Sequence, residues 1–330
     1  MKITILDDYQ DAIKTMACFK KLAGHEVTIW NDPTKDVDVL VQRLKDAEAL
    51  VLIRERTQIR APLLERLPNL KMISHLGPYP NVDVEACTRH GILFCARIST
   101  AVPTPSYATA ELTWGLIIAT MRYIPQEFAA LKAGKWQAYP VGVGLRGKTL
   151  GVYAYGLIGG VVAGYGRAFG MKVIAWGRDA SKDRARADGY EVASSRAAFF
   201  AESDVISLHI PLIPATREIV TADDLAAMKP SSLLVNTSRA GIIAPGALEA
   251  ALRAGRPGKA AVDVFEEEPV IGGNHPLLAM DNVVCTPHIG YVERTQLEVI
   301  LDICFQQVLD YAAGKPANVI NPAVLEHRPD

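Results

Sequence analysis

A glycine-rich segment near the middle of the chain has residue types that can bind phosphate groups. It follows an apolar run typical of a buried strand, and it opens a helical pattern. At such a strand-to-helix turn, backbone N–H groups can face the pyrophosphate of a dinucleotide. Gly156 would let the backbone approach the phosphates, and Gly159 would let the helix pack close to the strand. The candidate cofactor-binding residues of this turn are Ala154, Tyr155, Gly156, Leu157, Ile158 and Gly159.

Ala154 stands where the first glycine of such a turn is expected. Its Cβ occupies space at a position where the turn is tight, so we expect the turn to be loosened or shifted there. The alternative interpretation of the whole segment is a glycine-rich packing turn that holds no ligand.

The end of the next predicted strand carries an arginine and lacks the expected carboxylate. NAD enzymes with this turn usually place an Asp or Glu about twenty residues further on, where it binds the ribose hydroxyls. Here Gly177 occupies the acidic position and Arg178 follows it. The segment favours NADP over NAD, because no carboxylate repels a 2′-phosphate and a guanidinium can pair with one. Two alternatives to this preference remain. Asp179 could turn inward and bind the ribose, or Arg178 could be only a solvated surface charge.

Three segments downstream each end a predicted strand, which is where ligands bind in open α/β sheets. They are Asn236-Thr-Ser-Arg239-Ala-Gly241, Val262-Asp263-Val-Phe-Glu-Glu-Glu268-Pro269 and Thr286-Pro-His288-Ile-Gly290. Arg239 offers a fork of N–H donors for carboxylate and carbonyl oxygens. An imidazole is the side chain best suited to general acid and base catalysis near neutral pH, which makes His288 a candidate for that role. These segments therefore predict proton transfer beside a bound anion.

Each of the three residues also has a structural interpretation. Arg239 would then be part of an ion pair, Glu268 a solvated acid in an acidic run, and His288 a turn histidine after a proline. Those interpretations need three coincidences at three strand ends. We therefore favour the chemical one.

Together with the glycine-rich turn, these segments closely resemble the D-isomer-specific 2-hydroxyacid dehydrogenases, the family of glyoxylate/hydroxypyruvate reductases and phosphoglycerate dehydrogenase. The resemblance covers essentially the whole chain and is strongest from about 145 to 290. It implies an NAD(P)-dependent oxidoreductase acting on CH–OH groups. Such an enzyme moves a hydride between nicotinamide and C2 of a small 2-oxo or 2-hydroxy acid.

The resemblance also implies roles for individual residues. Arg239 would hold the substrate carboxylate and polarise its carbonyl group. His288 would be the general acid in reduction and the general base in oxidation, while Glu268 orients its ring and favours the protonated form. Asp263 would contact the nicotinamide carboxamide. The further cofactor contacts on these strand ends would be His209, Ile210, Pro211, Thr216, Thr237, Ser238 and Gly290.

The loop that grips the substrate carboxylate in this family departs from the pattern here. The family uses backbone N–H groups of a Gly-x-Gly loop, and this chain has Gly77-Pro-Tyr79, one residue short and with a proline that cannot donate. The N–H groups of Leu76 and Gly77 are the remaining candidates. Tyr79 either closes over a bulkier substrate or packs in the loop. Arg54 follows a strand where members with phosphorylated substrates have basic residues, so it is a further candidate.

Two series of short apolar runs alternate with helical patterns, which predicts an α/β protein with parallel sheets. The first series lies between residues 1 and 100 and the second between about 149 and 285. We predict a Rossmann-type, doubly wound parallel-sheet domain at 101–289. It would be inserted in a flavodoxin-like α/β substrate domain formed by 1–100 and 290–330. Closure of the two domains would exclude water from hydride transfer.

Composition narrows the class of partner. Thirty-five Lys and Arg against thirty-six Asp and Glu give a net charge of -1, which disfavours nucleic acid and anionic membranes as ligands. The uncharged stretch 149–166 has spanning length but holds six glycines, so we reject a membrane helix. Five cysteines without a Cys-x-x-Cys pair disfavour disulfides and a zinc site, and indicate a cytoplasmic location. We expect no bound metal.

Several alternatives remain open at this stage. A catalytically weak dinucleotide-binding regulatory protein would have the same fold, and a phosphite-oxidising dehydrogenase would have the same Arg, Glu and His. A formate dehydrogenase is disfavoured because that branch has Gln where Glu268 stands. The long apolar segment Tyr107 to Ile124, together with the resemblance, predicts a homodimer through the nucleotide domain.

Overall fold

The computed structural model describes residues 1–98 and 107–326. The predicted domain boundary between residues 100 and 101 lies outside the described residues, as does the end of the tail from 327 onward. The chain divides into two compact units. One consists of Met1–Pro103 with Arg294–Asp330, and the other of Thr104–Glu293.

The first unit is built on a five-stranded parallel sheet in the order β2-β1-β3-β4-β5, which is the flavodoxin-like order. Its strands are β1 (Lys2–Ile5), β2 (Glu26–Ile29), β3 (Ala49–Val51), β4 (Met72–Leu76) and β5 (Leu93–Arg97). The α-helices between them are α1 (Val37–Leu44), α2 (Ala61–Leu64) and α3 (Val84–Arg89). The predicted α/β class with a parallel sheet is confirmed for this unit.

Helix α1 shows how the sequence pattern produces these elements. Asp36 accepts hydrogen bonds from the N–H groups of Asp38 and Val39, so the helix begins at its side chain. Its residues Leu40 and Leu44 then lie on one face and are buried in the core of the unit. The cap residue itself stays outside the helix, which contains the whole apolar pattern from Val37 to Leu44.

The second unit is built on a seven-stranded parallel sheet in the order β12-β11-β10-β9-β6-β7-β8. Counted within the unit this is the doubly wound Rossmann order, 3-2-1-4-5-6, with a seventh strand added. Its strands are β6 (Thr149–Tyr153), β7 (Lys172–Trp176), β8 (Glu191–Val192), β9 (Val205–Leu208), β10 (Leu233–Asn236), β11 (Lys259–Val262) and β12 (Val283–Cys285). Its α-helices are α4 (Tyr107–Met121), α5 (Ile124–Lys132), α6 (Leu157–Ala168), α7 (Asp179–Ala187), α8 (Arg196–Glu202), α9 (Ala222–Ala227) and α10 (Ala247–Arg253).

Two helix predictions in this unit need correction. The single apolar helix predicted to run to Ile124 ends at Met121, and α5 begins after Tyr123, whose φ of 55° is left-handed. Helix α10 begins at Ala247 with Gly246 as its N-cap. The sequence pattern predicts a helix from Pro245 to Ala254 with the proline in its first turn. In the structure Pro245 precedes the helix instead. Strand β8, which has only two residues, was not predicted because so short a strand has no readable alternation.

The last two helices, α11 (Arg294–Ala312) and α12 (Ala323–Glu326), belong to the first unit. Ser74 on β4 donates to the carbonyl oxygen of Cys304 on α11 at 2.9 Å. The segment between the helices lies along β5, where Asn321 Oδ1 accepts from Phe94 N at 2.8 Å. Within the described residues, no helix has the length and apolar character needed to cross a membrane.

A fully buried aromatic cluster holds α8 against the sheet of the second unit. Phe199 is 0% exposed and lies edge-on to Tyr153 on β6 at 5.7 Å. It fills the space left by Gly151, where an added Cβ would be 2.9 Å from the Phe199 ring.

We predict that Phe199→Ala lowers the free energy of unfolding by about 3–5 kcal/mol. Thermal unfolding would show a clear fall in midpoint, whereas Leu278→Ala, at a position 45% exposed, would shift it little. Equal shifts would contradict this packing.

Candidate active site

The glycine-rich turn joins β6 to α6, with Gly156 as the N-cap of the helix. Ala154 has a φ of 70°, the left-handed conformation that glycine adopts most easily. Its N–H donates to Trp176 O at 2.7 Å, and its carbonyl accepts from Gly156 N at 3.0 Å. The turn is therefore closed at Ala154 and not loosened, contrary to our expectation.

The two glycines of the turn meet different surroundings. A Cβ on Gly159 would be 2.5 Å from the carbonyl oxygen of Ala154 and 3.1 Å from Val152, so only glycine lets α6 approach β6 this closely. A Cβ on Gly156 would meet no described atom within 4 Å. The open side of Gly156 fits the close approach of a phosphate to the backbone at the start of α6.

A cavity of about 450 Å³ lies beside this turn, at the carboxyl ends of β6, β7 and β9. Eight predicted cofactor residues line it: Ala154, Gly156, Gly177, Arg178, His209, Ile210, Pro211 and Thr216. The sequence did not single out Ser181 and Arg184 on α7, which also line it. Its position at the strand ends next to a glycine-opened helix fits a dinucleotide cofactor.

Three other predicted residues of the turn contribute in different ways. Tyr155 and Leu157 line a second cavity of about 490 Å³ on the other side of Gly156. The side chain of Ile158 packs against the core of the unit. Ile158 can therefore offer a ligand in the 450 Å³ cavity only its backbone groups, while the backbone N–H and carbonyl of Tyr155 already bond to Ser181 and Arg184.

One end of the cavity is formed by the connection from β7 to α7. Gly177 has a φ of 151°, and Arg178 is exposed at the N-terminus of α7. Asp179 pairs with Lys182 at 2.8 Å and is 91% exposed, and this pairing lowers the pKa of its carboxyl group. Arg178 makes no salt bridge with any residue that the structure describes. A cation therefore stands at the cavity where an NAD site usually has a carboxylate.

The connection after β9 is fixed by its own hydrogen bonds. His209 Nε2 lies 2.9 Å from Ser207 Oγ, and burial lowers its pKa to about 4, so it is neutral at neutral pH. Thr216 Oγ1 accepts from Ile213 N at 2.9 Å and donates to Pro211 O. Thr216 therefore shapes the cavity wall through Pro211 and Ile213.

Arg239 follows β10 in a tight turn that Asn236 holds. Asn236 Oδ1 accepts from Ser238 N and its Nδ2 donates to Arg239 O, both at 3.0 Å. Ser238 Oγ donates to Leu208 O at 2.8 Å, and Thr237 shares a hydrogen bond with Thr113 on α4 at 2.8 Å. The hydroxyl groups of Thr237 and Ser238 thus brace the turn from both sides.

The carboxylate of Glu268 lies against the ring of His288. Its Oε2 is 2.6 Å from His288 Nδ1, and its Oε1 accepts from Phe265 N at 3.0 Å. Both side chains are largely buried, at 21% and 16% exposed. Glu266 is exposed and pairs instead with His275 at 3.1 Å. This short contact between a carboxylate and Nδ1 fixes the orientation of the ring.

Asp263 holds the backbone that carries His288. The residue is 1% exposed, and burial raises the pKa of its carboxyl group. Its Oδ1 accepts from Thr286 Oγ1 at 2.6 Å and from Ile289 N at 2.8 Å, while Oδ2 accepts from Gly290 N at 2.8 Å. These bonds span the left-handed His288, whose φ is 53°. The N–H of Gly290, a predicted cofactor contact, is thus used within the protein.

The predicted substrate loop of the first unit is held by side chains around Gly77. The N–H of Gly77 donates to Arg97 O at 3.0 Å, which corrects the expectation that this group is available to a substrate. His75 Nε2 lies 2.9 Å from Pro78 O, and burial lowers its pKa, so the neutral ring donates there. The ring of Tyr79 packs edge-on against Phe94 at 5.0 Å, which favours the packing alternative for this residue.

Arg54 lies close to this loop. Its Nη1 would be 3.2 Å from a Cβ built on Gly77, whose φ of 110° also favours glycine. The guanidinium pairs with Glu55, with Nε 3.6 Å from Oε2. Leu76 ends β4 in register with Arg97 and is 9% exposed. Of the predicted substrate residues, Arg54 is thus the one whose charged head lies beside the Gly77 backbone.

Comparison with known proteins gives a consistent result. The family model for the NAD binding domain of the D-isomer specific 2-hydroxyacid dehydrogenases matches residues 114–290. The chain is 37% identical over 325 residues to a D-3-phosphoglycerate dehydrogenase of Methanocaldococcus jannaschii, covering 97% of this chain and 59% of that one. It is 36% identical over 317 residues to a glyoxylate reductase of Aeropyrum pernix, covering 92% of each.

A solved structure of an oxidoreductase from Ralstonia solanacearum has the same fold, with a TM-score of 0.92 and 48% identity over 98% of both chains. The chain spans little more than half the length of the Methanocaldococcus enzyme but nearly all of the Aeropyrum enzyme. The family match extends from α4 to the loop of His288 and includes all three predicted catalytic residues. The chain belongs to the D-isomer-specific 2-hydroxyacid dehydrogenase family.

Proposed function

We propose that the protein is an NAD(P)-dependent 2-oxo acid reductase, which in reverse oxidises a 2-hydroxy acid. The observation that carries the proposal is the 2.6 Å contact between Glu268 Oε2 and His288 Nδ1, in a chain of this family. In this proposal the other ring nitrogen, His288 Nε2, exchanges a proton with a bound substrate. Arg239 follows β10, at the same edge of the sheet.

In this proposal the three side chains divide the work. Arg239 binds the substrate carboxylate bidentately and polarises the adjacent carbonyl group. His288 gives a proton to the oxygen at C2 in reduction and removes it in oxidation. Glu268 holds the imidazole in one orientation and stabilises its protonated form. The nicotinamide cofactor, when bound, supplies or accepts the hydride.

The substrate class follows from the site and from the relatives. Relatives carry the names glyoxylate reductase, hydroxypyruvate reductase and D-3-phosphoglycerate dehydrogenase, which all denote small 2-oxo or 2-hydroxy acids. We propose a substrate of this class, with Arg54 as an additional cation for its far end and Leu76 as a backbone contact. Because the N–H of Gly77 is occupied and Pro78 has none, the carboxylate relies more on Arg239 than in members with an open loop.

The catalytic roles lead to a direct test with purified protein. Loss of reduced-nicotinamide absorbance is followed with glyoxylate, hydroxypyruvate, 3-phosphohydroxypyruvate, pyruvate and phenylpyruvate. We expect turnover of at least one acid, a fall in kcat of about 10²–10⁴-fold for His288→Gln, and a comparable loss in kcat/KM for Arg239→Ala. His275→Gln is the matched control, since that ring pairs with exposed Glu266, and it should keep full activity.

Three outcomes would change the assignment. Full turnover by His288→Gln would reject its role as acid and base. Tight cofactor binding without turnover of any acid would favour the regulatory, dinucleotide-binding alternative, which the occupied N–H of Gly77 makes worth testing. Oxidation of phosphite by the wild-type protein with an oxidised nicotinamide would favour the phosphite branch.

We also propose that the cofactor is NADP in preference to NAD. The support is the exposed Arg178 at the cavity, the absence of a carboxylate at Gly177, and the pairing of Asp179 with Lys182. Arg178 would pair with the 2′-phosphate of the cofactor.

We propose a cytoplasmic location as well, since all five cysteines are free thiols.

The cofactor preference predicts the effect of removing the cation. Arg178→Gln should weaken NADPH binding about tenfold or more, because a charge-assisted pair is lost, while NADH binding changes little. Dissociation constants from fluorescence titration measure both. The control is Arg253→Gln, since Arg253 pairs with Glu249 on α10. Equal affinity of the wild-type protein for NADH and NADPH would contradict the preference.

The proposed homodimer uses a different surface from the one that the sequence indicated. Helix α4 is buried in its own unit through residues such as Trp114 and Ile117, so it is not the free apolar face. Helix α5 exposes Ile124, Phe128 and Leu131, spaced four and three residues apart on one side. Trp136 and Val141 in the following segment are 78% and 96% exposed.

We propose that this apolar surface of α5 and the segment after it binds the same surface of a second copy. Side chains this large and apolar mark an interface when they cluster on one helix face. Phe128→Glu with Leu131→Glu should convert a dimer to a monomer in light scattering, because two charges cannot be buried unpaired. Leu278→Glu, an exposed leucine elsewhere in the unit, is the control. A monomeric wild-type protein would refute the dimer.

A further inference from the structure

One face of α7 contacts every polar atom of Tyr155 in the glycine-rich turn. Ser181 Oγ accepts from Tyr155 N at 2.6 Å. Arg184 donates to Tyr155 O through Nε at 3.3 Å and Nη2 at 3.2 Å. Asp188, the C-cap of the helix, accepts from the Tyr155 hydroxyl at 2.6 Å. These three residues are spaced three and four apart, so they lie on one side of the helix.

The contacts act on the peptide groups that follow Ala154. An L-residue with a Cβ is disfavoured at a φ of 70°, so the surroundings must hold it there. The Tyr155 N–H belongs to the peptide group directly after Ala154, and Ser181 fixes its orientation. The Tyr155 carbonyl belongs to the next peptide group, which contains the N–H of Gly156, and Arg184 fixes that one.

The same helix begins at the end of the cavity that the connection from β7 to α7 forms. Arg178 precedes its first turn, and a Cβ on Gly177 would be 3.0 Å from Ser181 Oγ and 3.4 Å from Ala154 Cα. Arg184 lines both the 450 Å³ cavity and the 490 Å³ cavity, with Gly156 between them. One helix thus links the residues proposed for the 2′-phosphate with the turn proposed for the pyrophosphate.

We propose that Ser181, Arg184 and Asp188 are positioning residues that clamp Tyr155 and hold the turn ready for the cofactor, replacing the glycine absent at position 154. The proposal rests on the proposed dinucleotide site. It assigns these three residues no contact with substrate or reacting atoms. They increase the fraction of molecules in which the turn already has the conformation that binds the cofactor.

The test removes the clamp and follows the turn with and without cofactor. Arg184→Met keeps the length of the side chain and removes its N–H donors, and Ser181→Ala removes the other peptide contact. In the cofactor-free protein, amide hydrogen exchange should speed up at residues 154–157 in both variants. NADPH should bind about tenfold more weakly, the worth of one charge-assisted hydrogen bond, and KM for NADPH should rise more than kcat falls.

Two further variants separate clamping from direct contact. Arg186→Gln removes an exposed arginine of the same helix that pairs with Asp183, and it should bind NADPH as the wild type does. Ala154→Gly added to Arg184→Met should recover most of the lost affinity, because glycine adopts the left-handed turn without a Cβ penalty.

The proposal is overturned if Arg184→Met keeps wild-type exchange and affinity. It is also overturned if affinity falls without recovery by glycine at position 154, which would mean that Arg184 contacts the cofactor itself. If the wild-type protein binds neither NADPH nor NADH, the proposed function fails, and the exchange rates of the cofactor-free variants still decide whether α7 clamps the turn.

Discussion

The hydrogen bond between Glu268 and His288 is the contact on which the functional account depends. It exists because β11 and β12 are parallel neighbours, so the loops after them leave the same edge of the sheet. Buried Asp263 adds the second requirement, since it accepts from the Thr286 hydroxyl before His288 and from the N–H groups of Ile289 and Gly290 after it. A buried carboxylate costs free energy unless such donors surround it. The fold thus uses one acid to place the histidine and another to orient its ring.

The positions of the proposed catalytic residues in the fold could be predicted from the sequence because they depend on strand ends. Arg239 follows β10, Glu268 lies after β11 and His288 after β12, and parallel strands bring their carboxyl ends together. Apolar runs in the sequence identified eleven of the twelve strands that the structure describes, all but β8, with boundaries that moved by a few residues. The supporting contacts of Asn236 and Thr113 could not be predicted, since they depend on side-chain geometry in the folded chain.

Errors arose where one backbone angle or one hydrogen bond decides the outcome. Tyr123 adopts a left-handed conformation and ends a run of apolar residues that reads as one helix. The N–H of Gly77 is used by Arg97, a pairing visible only once β4 and β5 are aligned. The turn at Ala154 is closed although glycine is absent. At Gly77 and at Ala154 a tertiary hydrogen bond decides the outcome.

The central claim is hydride transfer from a nicotinamide to C2 of a 2-oxo acid. The most direct measurement uses NADPH carrying deuterium on the transferring C4 position, incubated with the best acid substrate. Mass spectrometry of the product then locates the label. The account predicts one deuterium on C2 of the 2-hydroxy acid and none at exchangeable positions. Product without label at C2 after incubation with cofactor deuterated on either face, or no product with any acid, would contradict it.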